Sequence, residues 1–178
     1  MLKLRTIATI CSLLCANVAH AASYDGQLSS LEKRFVITDT GIASADAGAK
    51  REMTCLALNV YFEARGTITK QQQGVAWVAK NRASNSRYAG PNLCDVVFER
   101  HGGTAQFAWT SHQMRYSVEP DSWETAQQIA REVYHGTISD PTHGALCFHE
   151  TNLAARYRKY DHGGLRIGSH VFYNMAAK

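Results

Sequence analysis

The stretch REMTCLALNVYFEARG, Arg51–Gly66, decides how this chain is read. Met53, Leu56 and Val60 recur at steps of three and four, the spacing that lines one face of an α-helix. Gly66 closes the run, as a helix C-terminus favours. Glu63 falls three residues after Val60, on the same apolar stripe. Burial disfavours an ionised carboxylate and raises its pKa. A carboxyl group that keeps its proton near neutral pH can serve as a general acid. The free carbonyls of the last helical turn push the same way. The placement equally fits an acid that pairs with Arg65 or another base and pins the helix end. One acid on a stripe is not yet a mechanism.

Downstream, Thr69 with Gln72 three residues later reads as a capping box opening a second helix. Val75, Val78, Ala79 and Arg82 continue it. Ser84 to Asn92 reads as a loop, Leu93 to Glu99 as a short helix, and His101 to Thr104 as a turn. Asp121, with Pro120 just outside, reads as the cap of a third long helix that Gly136 ends. Beyond it, Gly144–His149 and Ile167–Tyr173 are short, aromatic and partly alternating, as paired strands are, with Asp161–Gly164 in the connection. The expected class is α+β, mostly helical, with a small β element near the C-terminus.

The N-terminus reads as a cleavable signal. Lys3 and Arg5 precede an apolar run from Ile7 to Leu14, and Ala19-His20-Ala21 offers small residues at a cleavage site after Ala21. The run is far shorter than the roughly 20 residues of a membrane span. A retained anchor is the weaker alternative, and a lipidated Cys15 weaker still. Export to the periplasm or outside the cell is expected, with no membrane span after cleavage. Removing Lys3 and Arg5 takes the formal charge from +4 to +2. That suits an anionic polymer but lacks the basic run of a nucleic-acid binder. The expected organisation is signal 1–21, flexible lead-in 22–50 with a short helix around Leu28–Phe35, and one folded domain 51–178, read as a monomer.

Cys55, Cys94 and Cys147 remain after cleavage. An oxidising compartment favours one bridge and one spare thiol, and three free thiols are the alternative. His101, His112, His135, His143, His149, His162 and His170 invite a metal reading. However, no second histidine follows His149-Glu150 at helical spacing, so neither metal nor cofactor is expected. No Gly-x-Ser-x-Gly supports serine chemistry.

Six ordered segments then carry a resemblance: CLALNVYFEARG (Cys55–Gly66), GVAWVAKNR (Gly74–Arg82), PNLCDVV (Pro91–Val97), QFAW (Gln106–Trp109), GALCFH (Gly144–His149) and IGSHVFY (Ile167–Tyr173). Together the chain resembles the SleB/CwlJ-type cell wall hydrolases over about Glu52 to Tyr173. The resemblance implies a lysozyme-like α+β fold and an enzyme that cuts peptidoglycan glycan strands, as a lytic transglycosylase with Glu63 as catalytic acid. It also implies a Cys55–Cys94 bridge, with Cys147 buried and free. Tyr61, Arg65, Asn81, Gln106, Trp109, His149, His170 and Tyr173 become the expected substrate-binding set. Among other aromatic residues, Tyr116, Tyr157 and Tyr160 can stack on sugars, whereas Phe107 and Phe172 read as core.

Three departures from the family pattern stand out. Thr67 replaces a second Glu, Ala108 replaces Ser, and Ala154-Ala155-Arg156-Tyr157 replaces a Pro-x-Trp that can line the saccharide groove. Two alternatives stay open: a hydrolytic muramidase, which needs a second carboxylate, and an inactive peptidoglycan-binding protein on the same fold.

Overall fold

A computed structural model describes residues 24–88, 90–111 and 117–175; the expected signal, His112 and Tyr116 lie outside them. Among the described residues no helix is long and apolar enough to cross a membrane. The chain divides into two compact units, Met1–Val36 and Ile37–Lys178. In the first, α1 covers residues 24–32. Tyr24, Leu28 and Leu31 on this helix, and Phe35 beyond it, bury their side chains.

The second unit begins before Arg51. Its first helix, α2 (Thr40–Ala43), is capped by the Asp39 carboxylate, which accepts from the Ile42 N–H. Gln127, on α6 (Pro120–His135), accepts through Oε1 from the N–H groups of Thr38 and Asp39 at 2.8 and 3.1 Å. Arg131 of the same helix pairs with Asp39 at 3.0 Å. The flexible lead-in over 22–50 is therefore corrected: from residue 24 onward the stretch is helical or tied by hydrogen bonds. Its polar composition hid this, because its partners lie 89 residues away.

The central element is α3 (Ala47–Ala64), which packs against α4 (Thr69–Ala83), α5 (Leu93–Val97) and α6. Residues 53–61 are all buried, so the amphipathic reading is corrected as well. A helix surrounded by other helices is apolar on every side. The Cys55–Cys94 disulfide joins α3 to α5, and the Glu52 carboxylate accepts from the Leu93 N–H at the start of α5. Cys147 is free but only half-buried.

No side-chain cap opens α4, whose N-cap is Ile68. Gln72 instead donates from Nε2 to the Thr67 carbonyl at 2.8 Å, so it braces the α3–α4 connection rather than closing a capping box. Likewise Glu119, not Asp121, is the N-cap of α6, and Pro120 stands inside its first turn. Pro fits there because the first helical N–H has no intrahelical acceptor. Gly136 ends α6 in the left-handed conformation, φ 70°.

The expected turn at His101–Thr104 is a small hairpin, β1 (Arg100–His101) against β2 (Thr104–Ala105), closed by Gly102 and Gly103 at positive φ. A three-stranded antiparallel sheet follows, ordered β3 (Cys147–Glu150), β5 (His170–Tyr173), β4 (Leu165–Ile167). Ile167 thus belongs to a strand of its own. The connection from β3 holds a helix, α7 (Ala154–Asp161), that strand periodicity did not suggest. Val75, Val78, Ala64, Ala145, Ile167 and Phe172 form one buried cluster between α4 and the sheet. Gly74 permits the close approach, since a Cβ there would lie 2.7 Å from the Phe172 ring.

Candidate active site

Glu63 stands in the last turn of α3, where the buried helix opens onto a cleft of about 290 Å³. The described lining is Glu63, Arg82, Gln106, Phe107, Ala108, Phe148, His149, Glu150, Leu153, Tyr157 and His170. Each wall has a separate origin. Glu63 and Arg82 come from the ends of α3 and α4. Gln106 to Ala108 follow the hairpin. His149, Glu150 and His170 come from β3 and β5, and Tyr157 from α7.

Burial pushes the Glu63 carboxyl up to about 7, from an ordinary 4.5. The Arg82 guanidinium opposes that rise, and the Glu150 carboxylate adds to it. No hydrogen bond or ion pair joins Glu63 to another described residue. The alternative of a helix-pinning pair fails at its named partner: Arg65 lies 3.4 Å from Glu119 and over the Tyr61 ring.

Arg82 is buried and fixed. Its Nε donates to the Leu146 carbonyl at 2.7 Å, and its guanidinium carbon lies 4.9 Å from the Phe107 ring centre and 5.0 Å from that of Tyr88. Its Nη1 is buried without an acceptor among the described residues, as is His170 Nδ1 without a partner. A buried polar group in that state is costly unless a ligand or water satisfies it. Burial holds the His170 imidazole below its ordinary pKa, while Glu150, opposite it in the β3–β5 register, pulls the other way.

His149 anchors the far wall. Its Nε2 lies 3.0 Å from Asp161 Oδ2, its Nδ1 2.8 Å from the Glu150 carbonyl, and its ring stacks on Tyr157 at 4.8 Å and 10°.

Of the eight residues expected to bind substrate, Gln106, His149 and His170 line the cleft and five do not. Tyr61 is two residues from Glu63, about 200° around a helix, and faces α6, where its hydroxyl accepts from the Glu119 N–H. Arg65 lines a separate recess of about 250 Å³ with Gly66, Thr67 and Gln72. Asn81 donates to Asp140 and to the Ala145 carbonyl. Trp109 donates to Asn59 and stacks on Phe62 at 4.7 Å. Tyr173 is buried with its ring 5.6 Å from His149, and burial pushes its hydroxyl up to about 12. In the structure Tyr61, Asn81, Trp109 and Tyr173 pack or brace neighbouring elements, and Arg65 lines the separate recess.

Sequence reasoning missed Arg82 and Glu150. Arg82 carried the signal that exposed Glu63, a charge on an apolar stripe. Glu150 carried none. Thr67, where a second acid was expected, caps the helix end by donating to the Ala64 carbonyl at 2.7 Å. Ala108 lines the cleft.

The family model described as Cell Wall Hydrolase matches residues 66–173, beginning three residues past Glu63. A comparison with curated proteins finds no match. Two solved structures share the fold. One is the catalytic domain of the germination-specific lytic transglycosylase SleB from Bacillus anthracis. It has 24% identity and a TM-score of 0.55, over 73% of this chain and 99% of that one. The other is the catalytic domain of the Bacillus cereus SleB protein, with 23% identity and a TM-score of 0.54, over 73% and 94%. Both likenesses are of a lysozyme-like α+β fold.

Proposed function

The chain belongs to the cell wall hydrolase family, and from that premise we propose that it cleaves the MurNAc–GlcNAc bond of peptidoglycan as a lytic transglycosylase, with Glu63 as acid and base. The observation that carries the reading is the Glu63 carboxyl itself. It is raised to about 7, with no hydrogen bond or ion pair to another described residue, in a cleft of about 290 Å³.

Protonated Glu63 gives its proton to the glycosidic oxygen as the bond from C1 breaks. The resulting carboxylate then accepts the proton of the MurNAc C6 hydroxyl as that oxygen closes onto C1. The product is a 1,6-anhydro sugar, and the enzyme returns to its starting protonation. Because the substrate supplies the nucleophile, one carboxylate suffices, unlike the two of most glycosidases. Arg82 Nη1 and His170 Nδ1, without partners among the described residues, are suited to hold sugar hydroxyl or acetamido groups. Gln106 offers an amide on the same wall. The Bacillus anthracis relative is described as a lytic transglycosylase, which supports the same chemistry here.

Glu150 favours a second reading. It is a second carboxylate on the same cleft, held by Asn152 Nδ2 at 2.9 Å. If it activates a water, the product carries a reducing MurNAc and the enzyme is a muramidase. Mass spectrometry of digested sacculi decides. Anhydro-muropeptides from wild type, absent with Glu63→Gln, support the transglycosylase. Reducing ends that vanish with Glu150→Gln support the muramidase. No glycan products from wild type would sink both and leave a binding protein.

An exported protein follows from the Met1–Ala21 signal. N-terminal sequencing of the secreted or periplasmic form should begin at Ala22.

A further inference from the structure

Helix α7 (Ala154–Asp161) buries none of its residues, yet it forms one wall of the cleft. Its inner side is fixed at two points. Tyr157 stacks on His149, and Asp161 pairs with the same imidazole at 3.0 Å. Its remaining surface is basic. Arg156 and Arg158 flank Tyr157 at about 100° to either side, the angular step of a helix, and Lys159 follows. All three are exposed. The Arg156 guanidinium carbon lies 5.8 Å from the ring centre of Tyr157, which lines the cleft, and Lys159 Nζ lies 4.7 Å from that of Tyr160.

The balance of charge there is one-sided. Asp161 is the helix's sole acid, and it is occupied by His149. Among the described residues, no carboxylate pairs with Arg156, Arg158 or Lys159. Three like charges within four residues repel one another, and a surface helix ordinarily interleaves acids among them. A helix with little burial and no internal charge pairing, placed beside a catalytic carboxyl, has the character of an anion-binding surface.

We propose that the Arg156, Arg158 and Lys159 face of α7 recognises the carboxylates of the peptide stems on the glycan strand. This deepens the peptidoglycan reading above and rests on it. The sugars of an intact strand are uncharged, because each lactyl carboxyl is taken up in the amide that begins a stem. Its fixed negative charges therefore sit on the stems, which project sideways from the MurNAc rings. A strand lying in the cleft against Glu63 extends those stems past its walls, and α7 is the wall whose exposed surface carries cations, Arg82 of the opposite wall being buried. Specificity would then be for stem-bearing strands with free carboxylates.

The test is co-sedimentation with sacculi, using Glu63→Gln to prevent cleavage. Three substrates separate the sources of charge: N-acetylated sacculi, the same material with stem carboxyls converted to methylamides, and strands stripped of stems, which retain only lactyl carboxylates. An exposed ion pair is worth a factor of about 1.5–5 in binding, so three amount to roughly tenfold. Methylamidation should weaken binding by that factor. The further replacement of Arg156, Arg158 and Lys159 by Gln should weaken binding to the same extent on free carboxylates and scarcely at all on methylamidated sacculi. Removing the same charge at Lys50, Lys70 and Arg87, outside the cleft lining, should have little effect. Molar salt, with a Debye length of about 3 Å, should erase the differences.

Equal binding to free and amidated sacculi overturns the proposal, and this arm uses the unaltered helix, so it stands whether or not the triple variant folds. Full binding to stripped strands overturns it too, because the face would then read the lactyl carboxylate. Absence of sedimentation with any sacculi also overturns it. Failure of wild type to release glycan fragments, with stem-dependent binding intact, would instead refute the catalytic reading alone.

Discussion

Replacing Glu63 by Gln should make the protein more stable at alkaline pH, and by an amount the structure sets. Burial raises the carboxyl from 4.5 to about 7. A group whose folded pKa lies above its unfolded one favours folding most when protonated, below the unfolded value, and that advantage is lost as pH rises through the folded value. Below about pH 4.5 Glu63 is neutral in both states and costs nothing. Between 4.5 and 7 the unfolded chain ionises first, and the penalty on the folded state grows. Above 7 it is constant. At 1.36 kcal/mol per pH unit the full penalty is up to about 3 kcal/mol, and access of water to the cleft lowers it. Gln is nearly isosteric and uncharged, so it escapes the penalty. Thermal melts of both proteins at pH 4.5 and pH 8.5 read the difference. For a domain of this size each kcal/mol is worth about 2–4 °C. The Gln protein should therefore melt with wild type at pH 4.5 and up to about 6–12 °C higher at pH 8.5, while losing 10²–10⁴-fold in rate. A gap that is the same at both pH values, or a Gln protein less stable at pH 8.5, would refute the claim that Glu63 is held protonated by burial.

In the proposed mechanism the acid form of Glu63 protonates the leaving group, so kcat on sacculi should fall as pH rises through about 7. Glu150→Gln removes the like charge that helps raise Glu63, and the descending limb of that profile should move to lower pH. Opening the Cys55–Cys94 bridge, which spans 39 residues, should cost about 2–4 kcal/mol in urea denaturation. Equal stability of the Cys94→Ser protein would show that α5 is held by packing alone. Arg65→Ala should leave kcat within about twofold and change stability by less than about 1 kcal/mol, because its partner Glu119 is exposed; a large rate loss would place Arg65 back at the reacting bond.

What the sequence made legible follows from the range of the forces involved. Helices α3, α4 and α6 and the β3–β5 pairing were visible because periodicity is local. Glu63 was visible because a charge interrupted a local apolar pattern. Arg82 offered the same clue on α4 and could have been found by it. Geometry alone could also have excluded Tyr61, since two residues on one helix separated by two positions cannot face one cleft. Glu150 was out of reach. On an ideal strand it would point away from His149, and both reach the cleft only because β3 ends there and turns into the short helical segment Thr151–Leu153. The order of residues 37–50 was hidden for a different reason: Gln127 and Arg131 supply its hydrogen bonds from the far side of the sequence. Helix α7 buries no apolar face, so no stripe marked it.

The two sides of the cleft are built to different stiffness, and the chemistry accounts for which side is which. In the proposed reaction Glu63 must meet a glycosidic oxygen within hydrogen-bond distance, and its helix is buried over residues 53–61, bridged to α5 and faced by an Arg82 whose guanidinium lies about 5 Å from the Phe107 and Tyr88 rings. The α7 side buries none of its residues, and its Tyr157 and Asp161 meet His149 through a stacked ring and a 3.0 Å polar contact. Regions with few buried contacts open at low free-energy cost. His149 belongs to both arrangements, as a lining residue and as the partner of Tyr157 and Asp161 on α7. In the proposed reaction the stiff side therefore holds the acid, Glu63, and the lightly packed side contributes Tyr157 to the lining.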